Sequence, residues 1–274
     1  MLVVDGDVEL AGVRAVEGLI ESGVCGSVDY CKTTPSTNTK ALQDVRSGVI
    51  QESLLPRCYL TDQQTAGRGR HGRSWQSDGG TLTFSLVVAR PGNAVQQSRL
   101  LPLAVGLGIA RFIDFEFAPL NAKLKWPNDV YISGGKVAGV LLETSAEATG
   151  LTVIGVGLNV SSEPGLERNA LGISSKSLSQ VVGRQLARYE ILQPLVESIL
   201  SAVAEALDLP KSVVEGFRSR CLLTGQQISF QHMNRECVGH AAGISEGGAM
   251  LVKTAEGTHE VSSGEARLVR ILKI

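Results

Sequence analysis

Apolar residues recur at helical spacing from Ala11 to Val24, where Val13, Val16, Leu19, Ile20 and Val24 predict an amphipathic surface helix near the start of the chain. Val28 to Thr33 reads as extended. Pro35 interrupts it, and Ser36 or Thr37 is placed to cap a helix running through Ala41 to Val45. Arg57 to Asp62 and Thr81 to Val88 have the apolar, β-branched content of strands, and the Gly/Arg-rich stretch between them is expected to be a long mobile loop. A largely buried helix is expected over Gln97 to Phe112, followed by strands at Ala122 to Trp126, Lys136 to Glu143 and Leu151 to Val160. Ser161 to Ser179 is a polar connection, after which helices are expected at Ser179 to Arg188 and Ile191 to Leu207, the second ended by Pro210. Beyond about Cys221 short β runs alternate with turns such as Gly247-Gly248 and Gly264, the pattern of a small separate barrel. Strands and helices interleave without a regular βαβ rhythm, so the expected fold is α+β: a mixed sheet with flanking helices and a small C-terminal β-barrel.

Bulk composition changes this picture little. With 274 residues and 43% hydrophobic content the chain can bury a sizeable core. Its 26 Lys and Arg against 27 Asp and Glu give a net charge of -1, so there is no general attraction to nucleic acid or anionic membrane. Asp5, Asp7 and Glu9 are the wrong charge pattern for a secretory or transit signal, and no stretch approaches the ~18 apolar residues of a membrane span. Cys25, Cys31, Cys58, Cys221 and Cys237 are scattered without a C-x-x-C pair, which points to reduced thiols and a cytoplasmic protein. His71, His232, His240 and His259 show no metal-ligand spacing.

Local clusters carry the chemistry. Gly67, Gly69 and Gly72 alternate with Arg68, Arg70 and Arg73, so backbone can approach a ligand while guanidinium groups reach phosphate oxygens. By composition alone the same loop is equally a solvated basic tract or a weak RNA-binding element. Trp75 just beyond is placed to stack on a purine or simply to pack. Walker A spacing is absent, and Gly155-Val156-Gly157 lacks the third glycine of a dinucleotide fingerprint. Asn128 and Asp129 in Lys125-Trp126-Pro127-Asn128-Asp129 follow a strand directly, as ligand-orienting groups or a plain turn. Lys136 heads an apolar strand, where a lysine either serves the site or snorkels, and Asn159 ends a strand interrupted by glycine.

Ser36-Thr37-Asn38, Gln64 through Trp75, Lys125 to Asp129, Lys136 to Glu143 and Gly155 to Asn159, taken in order, resemble the biotin protein ligase family over roughly residues 28 to 160. The resemblance implies a catalytic domain over 1–219 and an SH3-like domain over 220–274, with ATP and biotin as substrates and Mg2+ accompanying ATP. It implies that biotin's carboxylate is activated as biotinyl-5'-AMP and passed to a lysine of a biotin carboxyl carrier protein or domain. Lys136 and Arg70 are then the catalytic cations. Ser36, Thr37, Asn38, Gln64, Gly67, Arg68, Gly69, Arg70, Lys136, Gly139 and Gly155 would bind biotin. Arg70, Arg73, Trp75, Asn128, Asp129, Lys136 and Asn159 would serve the nucleotide, and no metal ligand is assigned. The 35 residues ahead of Ser36 are too few for the winged helix-turn-helix of family members that repress transcription, so a ligase without specific DNA binding is expected. Family members also dimerise through an edge strand, and no residue pattern here decides between monomer and homodimer. The fold is shared by lipoate ligases, whose His- and Gly-rich segment is absent from this sequence.

Overall fold

A computed structural model describes residues 1–89, 95–148, 150–162, 175–232, 235–262 and 267–268. Contacts group the chain into two compact units, one holding Met1–Gly92, Val137–Leu166 and Ser175–Ser198, the other Asn93–Lys136 and Ile199–Ile274.

The first unit is a helix-flanked sheet. It begins with β1 (Leu2–Asp5), α1 (Leu10–Glu21), β2 (Ser27–Thr34), α2 (Thr37–Ser47), β3 (Arg57–Gln64) and β4 (Thr81–Ala89). β1, β2 and β3 pair in parallel, whereas β3 and β4 are antiparallel, which makes the sheet mixed. Ala41, Leu42 and Val45 of α2 pack on Tyr59, Val87 and Val153 of the sheet, forming one cluster of the core. Polar side chains of α2 also tie it to the sheet: Lys40 Nζ lies 2.6 Å from Asp29 Oδ1, and Tyr59 donates to Asp44 at 2.7 Å. A helix held at its middle this way presents its first turn at a fixed place.

In the second unit come α3 (Val95–Glu116), β5 (Lys123–Lys125) and β6 (Asp129–Ile132), the last two forming an antiparallel hairpin. β7 (Gly135–Glu143) starts there and runs on into the first unit, where it pairs antiparallel with β8 (Leu151–Asn159), itself antiparallel to β4. α4 (Leu178–Val182) belongs to the first unit, α5 (Leu192–Asp208) starts in the first and ends in the second, and α6 (Pro210–Arg220) is in the second. α6 lies close on α3: a Cβ on Gly216 would come within 2.8 Å of Leu107. Arg111 of α3 makes a two-pronged contact with Glu205, and this hydrogen-bonded guanidinium holds the Glu205 carboxyl below its usual range. The C-terminal sheet is all antiparallel, in the order β12 (Gly257–Val261), β11 (Met250–Thr254), β10 (Arg235–Ile244), β9 (Gln227–His232), β13 (Arg267–Leu268). It fits the expected SH3-like fold.

Several expectations need correction. The helix expected over Ser179 to Arg188 stops at Val182, because Gly183 takes a left-handed conformation (φ 78°) and caps it. Arg188 instead turns inward and donates to the carbonyls of Asp62, Asp78 and Thr81 at 2.9, 3.2 and 3.0 Å. Pro210 does more than end a helix, since it is the first residue of α6, where its missing N–H costs nothing. β1 and β6 lacked a readable signal: β1 is short and exposed at the sheet edge, and β6 was hidden in what reads as a turn. Residues 163–174 of the expected polar connection and the expected turn at Gly264 lie outside the described residues.

All five cysteines are free thiols. Burial pushes Cys25 up to about 12 and raises Cys31 and Cys58 as well. A thiol reagent at pH 8 should therefore react quickly only with the half-buried Cys221 and Cys237, and with all five after denaturation. Rapid labelling of Cys25 or Cys58 in the native protein would contradict this packing.

Candidate active site

The first turn of α2 organises one side of the site. Ser36 is the N-cap, its hydroxyl accepting from the Thr39 N–H at 3.4 Å. Gln64, at the end of β3, accepts from the Thr37 N–H at 2.8 Å and its hydroxyl at 3.2 Å. Ser85 on β4 reaches Thr37 Oγ1 at 2.7 Å and Asn38 Oδ1 at 2.6 Å. The Asn38 amide nitrogen donates to Leu141 O at 3.1 Å and to Glu143 Oε2 at 2.8 Å. These side chains form one connected polar line across α2, β3, β4 and β7, and Ser36, Thr37, Asn38, Gln64 and Ser85 are all buried. Ser85 and Glu143 were missed by sequence reading. A serine in an apolar strand is common, and only its neighbours in space distinguish it.

Glycines form the floor beneath this line. Strand register sets Gly139 opposite Gly157 and Leu141 opposite Gly155, and Gly155 and Gly157 share a face by strand alternation. A Cβ on Gly155 would lie 2.3 Å from Asn38 Oδ1, and one on Gly157 would lie 2.3 Å from the Trp75 ring. Trp75 thus covers bare backbone, and only glycine lets the indole sit so low. Asn159 at the end of the same strand is buried and donates to Lys176 O at 3.2 Å.

The arginine–glycine loop is a small hairpin of its own. Trp75 N–H donates to Gly67 O at 2.9 Å and Gly69 N–H to Arg73 O at 2.7 Å, with Arg70–Gly72 forming the tight turn at its tip. His71 and Gly72 both take positive φ there, which explains the glycine at 72. Its base is anchored by Thr65 N–H to Thr34 O at 3.0 Å and Ala66 N–H to Pro35 O at 2.9 Å, beside the cap of α2. Gly67 fits against the Trp75 carbonyl, 2.3 Å from where a Cβ would stand. Arg68 reaches back to Glu143 Oε2 at 2.7 Å.

In the second unit, Asp129 is no turn residue: it opens β6, opposite Lys125 on β5. Its Oδ1 lies 2.6 Å from Lys136 Nζ, which comes from the start of β7. The hairpin tip carrying Asn128 is bolted down by Trp126, whose indole N–H donates at 3.0 Å to Gly248 O in the turn between β10 and β11. Among the described residues no cluster of His, Cys, Asp or Glu could hold a metal by itself. No helix described is long and apolar enough to cross a membrane.

A mixed sheet with a glycine floor, a Ser-Thr-Asn helix start and an arginine–glycine hairpin places the chain among the biotin and lipoate ligases: residues 30–159 match the Biotin/lipoate A/B protein ligase family. Residues 224–269 match the biotin protein ligase C terminal domain. The chain is 29% identical to a biotin--[acetyl-CoA-carboxylase] ligase of Mycobacterium tuberculosis, over 87% of this chain and 87% of that protein. It is 29% identical to the bifunctional ligase/repressor BirA of Bacillus subtilis, over 85% of this chain and 71% of that protein. A biotin protein ligase from Aquifex aeolicus, solved in complex with biotin and ATP, superposes with a TM-score of 0.73 at 28% identity, over 89% of this chain and 99% of that one. The chain carries the biotin/lipoate A/B protein ligase domain and the biotin protein ligase C terminal domain, and it is a ligase.

Proposed function

We propose that this ligase joins biotin to ATP, giving biotinyl-5'-AMP and pyrophosphate, and then transfers biotin to a lysine of a biotin carboxyl carrier protein or domain. One observation carries the reading: the buried Thr37–Gln64–Ser85 line lies against a glycine floor in a chain similar to a ligase that holds biotin and ATP. Biotin is an apolar bicycle with one ureido group, and such a pocket supplies a few fixed donors and acceptors in an otherwise apolar wall. Thr37, Gln64 and Ser36 are assigned to the ureido end, with the backbone of Gly67, Arg68 and Gly69 above it and Gly139 and Gly155 below.

In the first step a carboxylate oxygen of biotin bonds to the α-phosphorus of ATP while the bond to pyrophosphate breaks. Both partners are anions, so fixed cations are what the protein must supply. Arg70 and Lys136 take that role, Arg73, Trp75, Asn128, Asp129 and Asn159 serve the nucleotide, and Asp129 is the carboxylate best suited to a phosphate-bound Mg2+. That ion ordinarily rests on substrate phosphates and one or two carboxylates, so no all-protein cage is needed. In the second step the acceptor amine attacks the acyl carbon and AMP leaves. The loop from Thr65 to Ser77 is assigned to close over the adenylate and exclude water.

The division of labour is a catalytic domain over 1–219 and an SH3-like domain over 220–274. Residues 1–35 build β1, α1 and β2, so they are assigned to the sheet and not to operator recognition. The free thiols suit a reducing cytoplasm. Biotin-dependent exchange of labelled pyrophosphate into ATP is the deciding measurement. Exchange with biotin and none with lipoate is expected; tight RNA binding without exchange would overturn the assignment.

A further inference from the structure

We propose that Glu143 is a positioning residue that latches the arginine–glycine hairpin to the sheet through Arg68 and Asn38, an inference that rests on the biotin ligase reading above. Glu143 is the last residue of β7, and one of its oxygens, Oε2, receives both Arg68 at 2.7 Å and the Asn38 amide at 2.8 Å. An isolated ion pair with Arg68 side chain 43% and Glu143 side chain 23% exposed would hold little. This one differs because its carboxylate is aimed by a buried amide. Asn38 is 3% exposed, and Ser85 fixes its Oδ1 at 2.6 Å. Both hydrogens of the Asn38 side-chain amide are spent, one on Leu141 O at 3.1 Å and one on Glu143. Its work is to orient Glu143.

Arg68 stands at the entrance to the hairpin, between Gly67 and Gly69, whose backbone is assigned to biotin. Glycine-rich backbone is costly to order. Fixing the one side chain at that entrance reduces the cost before biotin arrives, and it couples the hairpin to the same α2 turn that carries Thr37. Arg68 therefore acts at biotin through its main chain, while its guanidinium acts through Glu143. Substituting the side chain tests the latch without removing the assigned backbone contact.

The experiment compares the wild type with Arg68→Ala, Glu143→Ala and the double variant, by trypsin nicking after Arg70 and Arg73 without ligand and by kinetics of pyrophosphate exchange. Nicking is expected to speed up about fivefold in each single variant, and the biotin KM to rise by a similar factor with kcat changed less. The double variant should be no worse than either single one. Glu143→Gln keeps an acceptor for Asn38 but loses the charge, so it should fall between, and it replaces Glu143→Ala in the comparison if that variant does not fold. Unchanged nicking, or single effects that multiply in the double variant, would overturn the latch. If the wild type shows no biotin-dependent exchange, the biotin assignment falls, while the nicking rates still decide whether Glu143 holds the hairpin.

Discussion

Lys136→Ala is expected to slow biotin-dependent pyrophosphate exchange by about 10²–10³-fold while biotin affinity falls much less. Lys136 Nζ is held 2.6 Å from Asp129 Oδ1. A lysine held by a carboxylate is a fixed point charge, so stabilising the developing anion requires no reorganisation at the moment of reaction. Interactions made mainly in the transition state lower kcat and kcat/KM together, whereas uniform binding raises KM alone. Exchange kinetics with biotin binding measured separately by calorimetry make the distinction. A loss shared equally between affinity and rate would mean that Lys136 binds biotin and takes no special part in the chemistry.

Gly155→Ala is the second large effect. The new methyl would stand 2.3 Å from Asn38 Oδ1, and Asn38 cannot step aside because Ser85, Leu141 O and Glu143 hold its amide. Overpacking of this kind costs about 1–3 kcal/mol, which lowers Tm by about 2–10 °C in a protein of this size. Because the clash falls on the line that positions Thr37 and the hairpin, biotin affinity should drop at least about tenfold, beyond what stability alone produces. Gly79→Ala is the control: its added methyl meets nothing within 4 Å, and Tm should stay within about 2 °C. Thermal melts and biotin titration of both variants decide the point. Equal Tm and equal affinity for Gly155→Ala and wild type would mean that the floor yields.

Much of this was legible in the chain itself. The cap at Ser36, the helix after it, the strands at 57–64, 81–89 and 151–159 and the loop between them are local consequences of hydrophobic spacing and turn residues. The motifs were legible for the same reason, since each is a short run of residues set by one strand end or one turn. Local pattern failed where a neighbour in space decided the outcome. Asp129 looks like a turn residue because Pro127 precedes it, yet pairing with Lys125 makes it strand. Arg188 reads as the end of a helix, yet it turns inward to three carbonyls of residues far away in the chain.

The arginine and glycine loop shows the division most clearly. Its sequence determined that backbone would be accessible there and that cations would be near, because glycines lack a Cβ and arginines are always charged. Sequence could not say which side chains these arginines would meet. Only the tertiary structure joined Arg68 to Glu143 and Asn38, set Trp75 over Gly157 and paired Lys136 with Asp129. The physical reason is that hydrogen bonds and ion pairs act over about 3 Å in space, whereas Arg68 and Glu143 are 75 residues apart along the chain. Propensity and periodicity are local and can be read from a window; side-chain partnership depends on where the whole sheet brings its strand ends.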